Sequence, residues 1–272
     1  MSRAIVILSG GQDSTTCLYW AKQQFTNVGC VTIDYGQRHR RELHAASAIA
    51  GMAGVPIEII TLPGILKGTS PLVDKGANLE QYKDWKSLPG GLEKTFVPMR
   101  NMLFLTIAAN RAICADARTL ITGVCQEDFG GYPDCRLDFI VAAEAAIRLG
   151  TFLDTAEPFT ISTPLMGLTK AESVALALSL PGCYPALGFS HTAYDGAYPP
   201  LGHDHATLLR AKGFEVAGVP DPLIVRAYWE MLMALPEAPN YDNYREPIQR
   251  LRPVFAQSGA MIALGALQQE FK

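Results

Sequence analysis

A short apolar run, Ala4 to Leu8, stops at Ser9-Gly10-Gly11-Gln12-Asp13-Ser14 and gives way to a helix-like pattern over Ser14–Gln24. No other stretch constrains the fold so tightly. It reads as a strand, a tight turn and a helix start. The first N–H groups of a helix lack internal partners, and the helix dipole favours an anion there. Gly10 and Gly11 let the backbone approach such an anion closely, and Ser9, Ser14 and Thr15 add hydroxyl donors. Asp13 is out of place in a pure anion site. It fits beside a metal-bound phosphate or as a helix cap. A Walker-type loop would need a lysine directly after its last glycine, and the next basic residue here is Lys22.

Further strand-like runs fall at Val28–Ile33, Ile57–Thr61 and Thr119–Gly123, and helix-like runs at Arg40–Ala53 and Met99–Ala115. Alternation of this kind predicts a Rossmann-like α/β fold, a parallel sheet with helices on both faces. Ligands of such sheets bind beyond the carboxyl ends of the strands. The Ser9–Ser14 loop and the segments Asp34–His39 and Val124–Asp134 should therefore converge on one rim. The stretch 63–95 is polar and rich in Gly, Pro and Lys. It reads as a mobile insertion or lid, or as disorder without function. From Pro222 the pattern is helical again, through Tyr228–Leu235 and Ala260–Phe271, which makes 227–272 a helical C-terminal extension.

The 272 residues, 49% of them hydrophobic, can bury a substantial core. A net charge of −3 provides no basic field for a nucleic-acid backbone. The six cysteines form no Cys-x-x-Cys pair and sit mostly in apolar runs, the pattern of a reduced, cytoplasmic protein. The first apolar run is too short for a signal peptide, and nothing approaches the roughly 18 apolar residues of a membrane span.

Several strings carry chemistry. Asp34-Tyr35-Gly36-Gln37-Arg38-His39 ends the second strand and suits a nucleotide or metal pocket, or a capped turn facing water. Arg100 and Asn101, just after Pro98, fall in the first turn of a helix, where a cation opposes the dipole. Such a charge indicates a bound anion, or else a surface arginine paired with an acid. Gly123 to Arg136 packs acids, aromatics, glycines and an arginine into one loop. Tyr132 or Phe129 can stack on a purine-like ring, Asp128 and Asp134 can accept from its edge, and Arg136 can fork onto a carboxylate. Thr169 reads as an N-cap, with Lys170 at the start of a short helix. His191, His203 and His205 cluster near Asp204 in a segment too rich in Gly and Pro for a secondary-structure reading. They fit a structural or pocket role better than a metal site.

The Ser-Gly-Gly-x-Asp-Ser string resembles the pyrophosphate-binding loop (PP-loop) of the N-type ATP pyrophosphatases. With Asp34–His39 and Glu42, Pro98–Asn101 and Phe104, Gly123–Arg136 and Phe139, Pro164–Lys170, Ser190-His191-Thr192 and Leu209–Phe214, the chain resembles the 7-cyano-7-deazaguanine synthase (QueC) family from Ala4 to about Arg226. That resemblance implies a PP-loop catalytic domain over 1–226. It implies an ATP-dependent ligase that adenylates the carboxylate of 7-carboxy-7-deazaguanine, releases pyrophosphate and lets ammonia displace AMP. A second adenylation converts the amide to the nitrile. Carried onto this chain, Ser9, Gly10, Gly11, Gln12, Asp13, Ser14 and Thr15, with Tyr35, Gln37 and Arg38, hold ATP. Asp13, Arg100 and Lys170 serve catalysis, with Mg2+ near Asp13. Asp128, Tyr132, Asp134, Arg136 and Phe139 hold the deazaguanine. A homodimer is compatible with all of this.

The chain departs from the family at its four zinc-binding cysteines. The aligned positions are Ala193, Leu201, Asp204 and Thr207, so no zinc is expected. Pro199-Pro200-Leu201 and packing from the C-terminal helices are candidates to hold this tip. The departure raises two alternatives. One is an antiphage-defence (CBASS-type) relative that joins the deazaguanine to a protein amine. The other is a nucleotide-binding protein that has lost catalysis and acts through a partner.

Overall fold

The computed structural model describes residues 2–88, 91–126, 131–153 and 156–255. Its centre is a five-stranded sheet: β1 (Arg3–Ile7), β2 (Asn27–Asp34), β3 (Ile57–Thr61), β4 (Thr119–Ile121) and β5 (Thr160–Ser162). All pairings are parallel, in the order β3-β2-β1-β4-β5. The order reverses between β1 and β4, and the crevice beyond the carboxyl ends of those two strands is where such sheets take ligands.

Side chains alternate across the sheet as strand geometry requires. Ala4, Val6 and Leu8 join a core with α1 (Gln12–Gln24) and α2 (Arg41–Ala53). Ile5 and Ile7 join a second core beneath α3 (Arg100–Cys114) and α4 (Leu137–Thr151). Burial on both faces explains why the strands read as continuous apolar runs. The α1 core continues into α5 (Lys170–Ser179), α6 (Cys183–Ala186), α7 (His205–Val216) and α8 (Pro222–Trp229). No helix among the described residues is long and apolar enough to cross a membrane.

Two elements escaped the sequence reading. β5 has only three residues. α4 leaves Leu137, Val141, Leu149 and Phe152 exposed, which blurs its amphipathic period. The helix expected over Tyr228–Leu235 is a correction: α8 ends at Trp229, and Met231 takes a left-handed φ of 59° that no helix continues through. A short helix α9 (Pro239–Asp242) and helical residues 245–255 follow. They dock back through Trp229 Nε1, which donates to the Ile248 carbonyl at 3.1 Å, and through Phe255 against Phe189. The run Ala260–Phe271 lies outside the described residues.

Among its described residues, the stretch 63–95 holds one 3₁₀ turn, Trp85–Ser87, capped by Asp84. It is tied to the region around α7. Tyr82 N–H donates to the His203 carbonyl at 2.9 Å, His203 N–H donates to Gln81 Oε1 at 2.8 Å, and Lys212 lies over the Trp85 ring at 4.4 Å.

Candidate active site

α1 begins without a side-chain cap. Its N-cap is Gly11, so Asp13 is not the capping residue that its position allowed. The hydroxyls of Ser9 and Ser14 lie 3.0 Å apart, and Thr15 Oγ1 donates to the Gly11 carbonyl at 2.7 Å. Gln12 is 5% exposed, and neither its amide oxygen nor its amide nitrogen has a hydrogen-bond partner. Buried amides are almost always satisfied. An uncapped helix start beside an orphaned amide is a site made for an anion the protein does not itself supply. Gly123, after β4, abuts this turn. A Cβ there would come within 2.9 Å of the Ser14 nitrogen and 3.0 Å of the Asp13 carbonyl carbon, so only glycine lets the two loops meet.

The loops after β1, β2 and β4 converge on one cavity of about 390 Å³. Of the residues expected to act together, Ser9, Gly11, Gln12, Asp13, Ser14, Tyr35, Gln37, Arg38, Arg100, Tyr132, Arg136 and Lys170 line it. Gly10 and Thr15 do not. Gly10 faces α2 and accepts the His191 N–H at 2.8 Å, and Thr15 is fully buried. Arg38 extends its guanidinium to the Pro71 and Ala77 carbonyls, which also anchors the 63–95 stretch.

Two charged groups face each other at the mouth of the β1 loop. Lys170, the first residue of α5, donates to both Asp13 carboxylate oxygens at 3.0 and 2.9 Å. Thr169 caps that helix in a capping box with Glu172, as the spacing predicts. The pair brings the starts of α1 and α5 together, so the cavity has two positive helix ends on one side.

Arg100 opens α3 opposite them and faces the hydroxyls of Tyr35, Tyr132 and Tyr194. Burial pushes the Glu42 carboxyl up to about 7 from its ordinary 4.5, although the nearby Arg100 charge pulls it down. A proton on Glu42 leaves net positive charge on this wall. The sign of the linkage follows from the raised value. The folded state holds the Glu42 proton more tightly than the unfolded chain does, so stability is full below pH 4.5 and is lost as pH rises through 7. The total is about 3 kcal/mol at most. Glu42→Gln should match the wild type near pH 4.5 and exceed it in stability above pH 7. Denaturant midpoints at both pH values check this, and a constant difference across the window would contradict it.

The loop before α4 is only partly in the cavity. Tyr132 lines it, packs against Phe96 with ring centroids 5.5 Å apart, and bonds Thr95 at 2.5 Å. Asp134 is buried and turned to the first turn of α3, where its carboxylate accepts the Asn101 N–H at 3.4 Å and its carbonyl accepts from Asn101 Nδ2 at 3.1 Å. Burial raises its carboxyl, with Arg100 and Asn101 opposing. Phe139, expected against the base, packs against the α3–α4 core and is not among the residues lining the cavity. Asp128 lies outside the described residues.

His205, given a structural or pocket role from the sequence, and Arg210, in the Leu209–Phe214 string, line the cavity. Sequence reasoning missed Tyr194, which lines it as well, and Glu93 and Thr95, which stand behind it. The signal available was the tip where the family's cysteines would lie. Asp204 caps α7 there: its carboxylate accepts from Thr207 N at 3.0 Å, Thr207 Oγ1 at 2.9 Å and Tyr194 N at 3.4 Å. The tip is thus drawn together by a capping carboxylate, and α8 packs against it as well: Tyr198 donates its hydroxyl to Glu230 at 2.6 Å beneath the Arg226 guanidinium, while Leu201 is 66% exposed.

Comparison with known proteins supplies the lineage. A family model described as queuosine biosynthesis protein QueC matches residues 3–218. A 7-cyano-7-deazaguanine synthase of Laribacter hongkongensis is 49% identical over 224 residues, 82% of this chain and 94% of that protein. Proteins of the same description from Gloeobacter violaceus and Chromobacterium violaceum are 48% identical over 226 residues and 49% over 232, covering 82% and 84% of this chain and 96% and 95% of those proteins. Among solved structures, a 4-thiouridine synthetase–RNA complex with bound ATP aligns over 96% of this chain and 53% of that chain. Its TM-score of 0.43 and 14% identity are too slight a likeness to bear on the site. With most of its length matched by the family model and nearly half of the aligned residues shared with those relatives, the chain belongs to the QueC family.

Proposed function

We propose that the chain is an ATP-dependent ligase that adenylates the carboxylate of a 7-carboxy-7-deazaguanine and passes the activated acyl group to an amine. The observation that carries this is the orphaned Gln12 amide at the uncapped start of α1, in one cavity with Lys170, Arg100 and Tyr132. The triphosphate tail of ATP lies on Ser9, Gly11, Gln12 and Ser14, where backbone N–H groups and hydroxyls replace its hydration. Lys170 and Arg100 flank it and stabilise the charge that develops as the substrate carboxylate attacks the α-phosphate and pyrophosphate departs. Magnesium bound with the triphosphate would neutralise further charge, and Asp13 is the carboxylate the loop itself offers it. The bicyclic base stacks on Tyr132, and Arg136 holds its carboxylate in line. With ammonia as acceptor the product is the amide, which a second activation dehydrates to the nitrile. A protein amine at the same step gives a conjugate instead.

Pyrophosphate release from ATP should require the 7-carboxy-7-deazaguanine and should fall about 100-fold in Asp13→Ala, which removes the carboxylate that orients Lys170. Release that is absent in the wild type, or unchanged in Asp13→Ala, defeats the proposal. ATP bound tightly without turnover under every substrate would favour a protein that has lost catalysis. Mass spectrometry of the product separates amide, nitrile and conjugate.

A further inference from the structure

A buried couple sits in the cavity wall apart from the phosphate loop. His205, the first residue of α7, is 6% exposed and Glu93 is 5% exposed. Nδ1 of His205 meets Oε1 of Glu93. The second carboxylate oxygen, Oε2, accepts the Thr95 hydroxyl at 3.0 Å, and Thr95 Oγ1 lies 2.5 Å from the Tyr132 hydroxyl. His205 and Tyr132 both line the cavity. A carboxylate this buried persists only where it is paired and hydrogen-bonded; here Oε2 is hydrogen-bonded to Thr95, while Oε1 has no hydrogen-bond partner among the described residues and faces the His205 ring as its ion-pair neighbour.

The pairing orients the imidazole. With Nδ1 on Glu93, Nε2 is the ring nitrogen left without a protein hydrogen bond among the described residues. A carboxylate-held imidazole whose other nitrogen belongs to a reaction cavity is the arrangement of a general base. Burial lowers the His205 pKa to about 4, so the ring is neutral and its lone pair available at pH 7. Glu93 offers compensation once a proton arrives. Other groups in the wall are differently committed. His39 and His191 pack edge to face at 4.9 Å, with His191 Nε2 on the Ala193 carbonyl at 2.9 Å. Asp13 is held by Lys170, and burial keeps the Cys135 thiol protonated, up to about 12. Glu42, up at about 7 beside Arg100, and His39, which lines the cavity and whose Nδ1 has no hydrogen-bond partner among the described residues, are the rival acceptors.

We propose that His205, oriented by Glu93, accepts the proton released when the amine attacks the activated carboxylate. The inference rests on the adenylation reading above. In the step, the amine nitrogen bonds to the acyl carbon and one N–H proton passes to His205 Nε2. The acyl C–O bond to AMP then breaks, AMP leaves with that electron pair, and the imidazolium returns its proton to water.

Two readouts on the full-length protein, with ATP, 7-carboxy-7-deazaguanine and ammonium chloride, separate the steps. ATP–pyrophosphate exchange reports adenylation, and mass spectrometry reports amide. In His205→Gln and Glu93→Gln, amide formation should fall on the order of 100-fold while exchange changes by less than about threefold. In His205→Ala, added imidazole should restore part of the amide rate, which a folding defect would not permit. Amide formation unchanged in His205→Gln, exchange and amide falling together, or the split occurring in Glu42→Gln or His39→Gln and not in His205→Gln, would each overturn the assignment. Absence of exchange in the wild type is a separate result: it refutes adenylation itself and removes the step His205 serves.

Discussion

Arg210→Ala should lower the stability of the folded chain by about 3–5 kcal/mol, a fall in melting temperature on the order of 10 °C. Arg210 is 2% exposed. Its Nε and Nη2 donate to the two Asp221 oxygens at 2.6 and 2.8 Å, Nη1 donates to Ser190 Oγ at 2.7 Å and Thr192 Oγ1 at 2.9 Å, and Nη2 also reaches the Leu187 carbonyl at 3.0 Å. Truncation leaves the Asp221 carboxylate, 4% exposed, without its countercharge. Asp221 also caps α8 through Leu223 N–H at 2.9 Å, so the damage spreads to that helix. Arg210→Lys should recover little, because one ammonium cannot span a carboxylate, two hydroxyls and a carbonyl. The double variant Arg210→Met, Asp221→Leu should cost less than Arg210→Ala alone, since it leaves no buried charge. The loss also reaches function. Ser190 and Thr192 flank His191, whose N–H holds the Gly10 carbonyl, so the KM for ATP should rise in whatever protein remains folded. Urea unfolding at pH 7 tests the stability claim, and a loss below about 1 kcal/mol would refute it.

What the sequence made legible follows from where the information is local. β1, its turn and α1 occupy a continuous segment with strong period and glycine punctuation, and they form as expected. β3 matches its expected limits, Ile57–Thr61, and α2 and α3 begin one residue later than expected. Thr169 announces its capping box in four residues. The convergence of three loops on one rim also followed, because strand order in a parallel sheet dictates it. The histidine cluster gave His205 a pocket role, but its pairing with Glu93 was not legible, since the two lie 112 positions apart and Glu93 stands in no motif. Phe139 and Asp134 show what a motif leaves open. Both sit in a motif-rich string, but Phe139 packs against the α3–α4 core and Asn101 draws Asp134 to the start of α3. A string places residues in one loop; it does not say which way each side chain turns. Arg210 was visible only as part of a family-like string, and its role depends on Asp221 and Ser190 arriving from two other loops.

Gly10→Ala should cost about 2–4 kcal/mol and reduce pyrophosphate release at least 100-fold. Gly10 holds φ at +87°, a conformation L side chains rarely adopt, and an added Cβ would lie 2.3 Å from the Glu42 carbonyl oxygen, 2.9 Å from the Ala46 nitrogen and 3.1 Å from Ala45 Cβ. Two of those atoms are backbone of α2, which is packed into the core through Ala46, Ile49 and Ala50. No rotamer can relieve such a contact. Either α2 or the β1 loop must shift, and the loop is the lighter body. Its displacement breaks the 2.8 Å bond from His191 N–H to the Gly10 carbonyl and shifts Ser9, Gly11 and the first residue of α1, Gln12, out of the phosphate site. Gly11→Ala is the control. Gly11 has an ordinary φ of −83°, and its added Cβ would meet only Ser9 Oγ at 3.5 Å and the His191 carbonyl at 3.7 Å. Its cost should stay within about 1 kcal/mol, the usual penalty for alanine at an N-cap. Thermal melts and ATP titration calorimetry on both variants decide the matter. A Gly10→Ala protein that melts with the wild type and binds ATP as tightly would mean that α2 does not hold the loop against the phosphates.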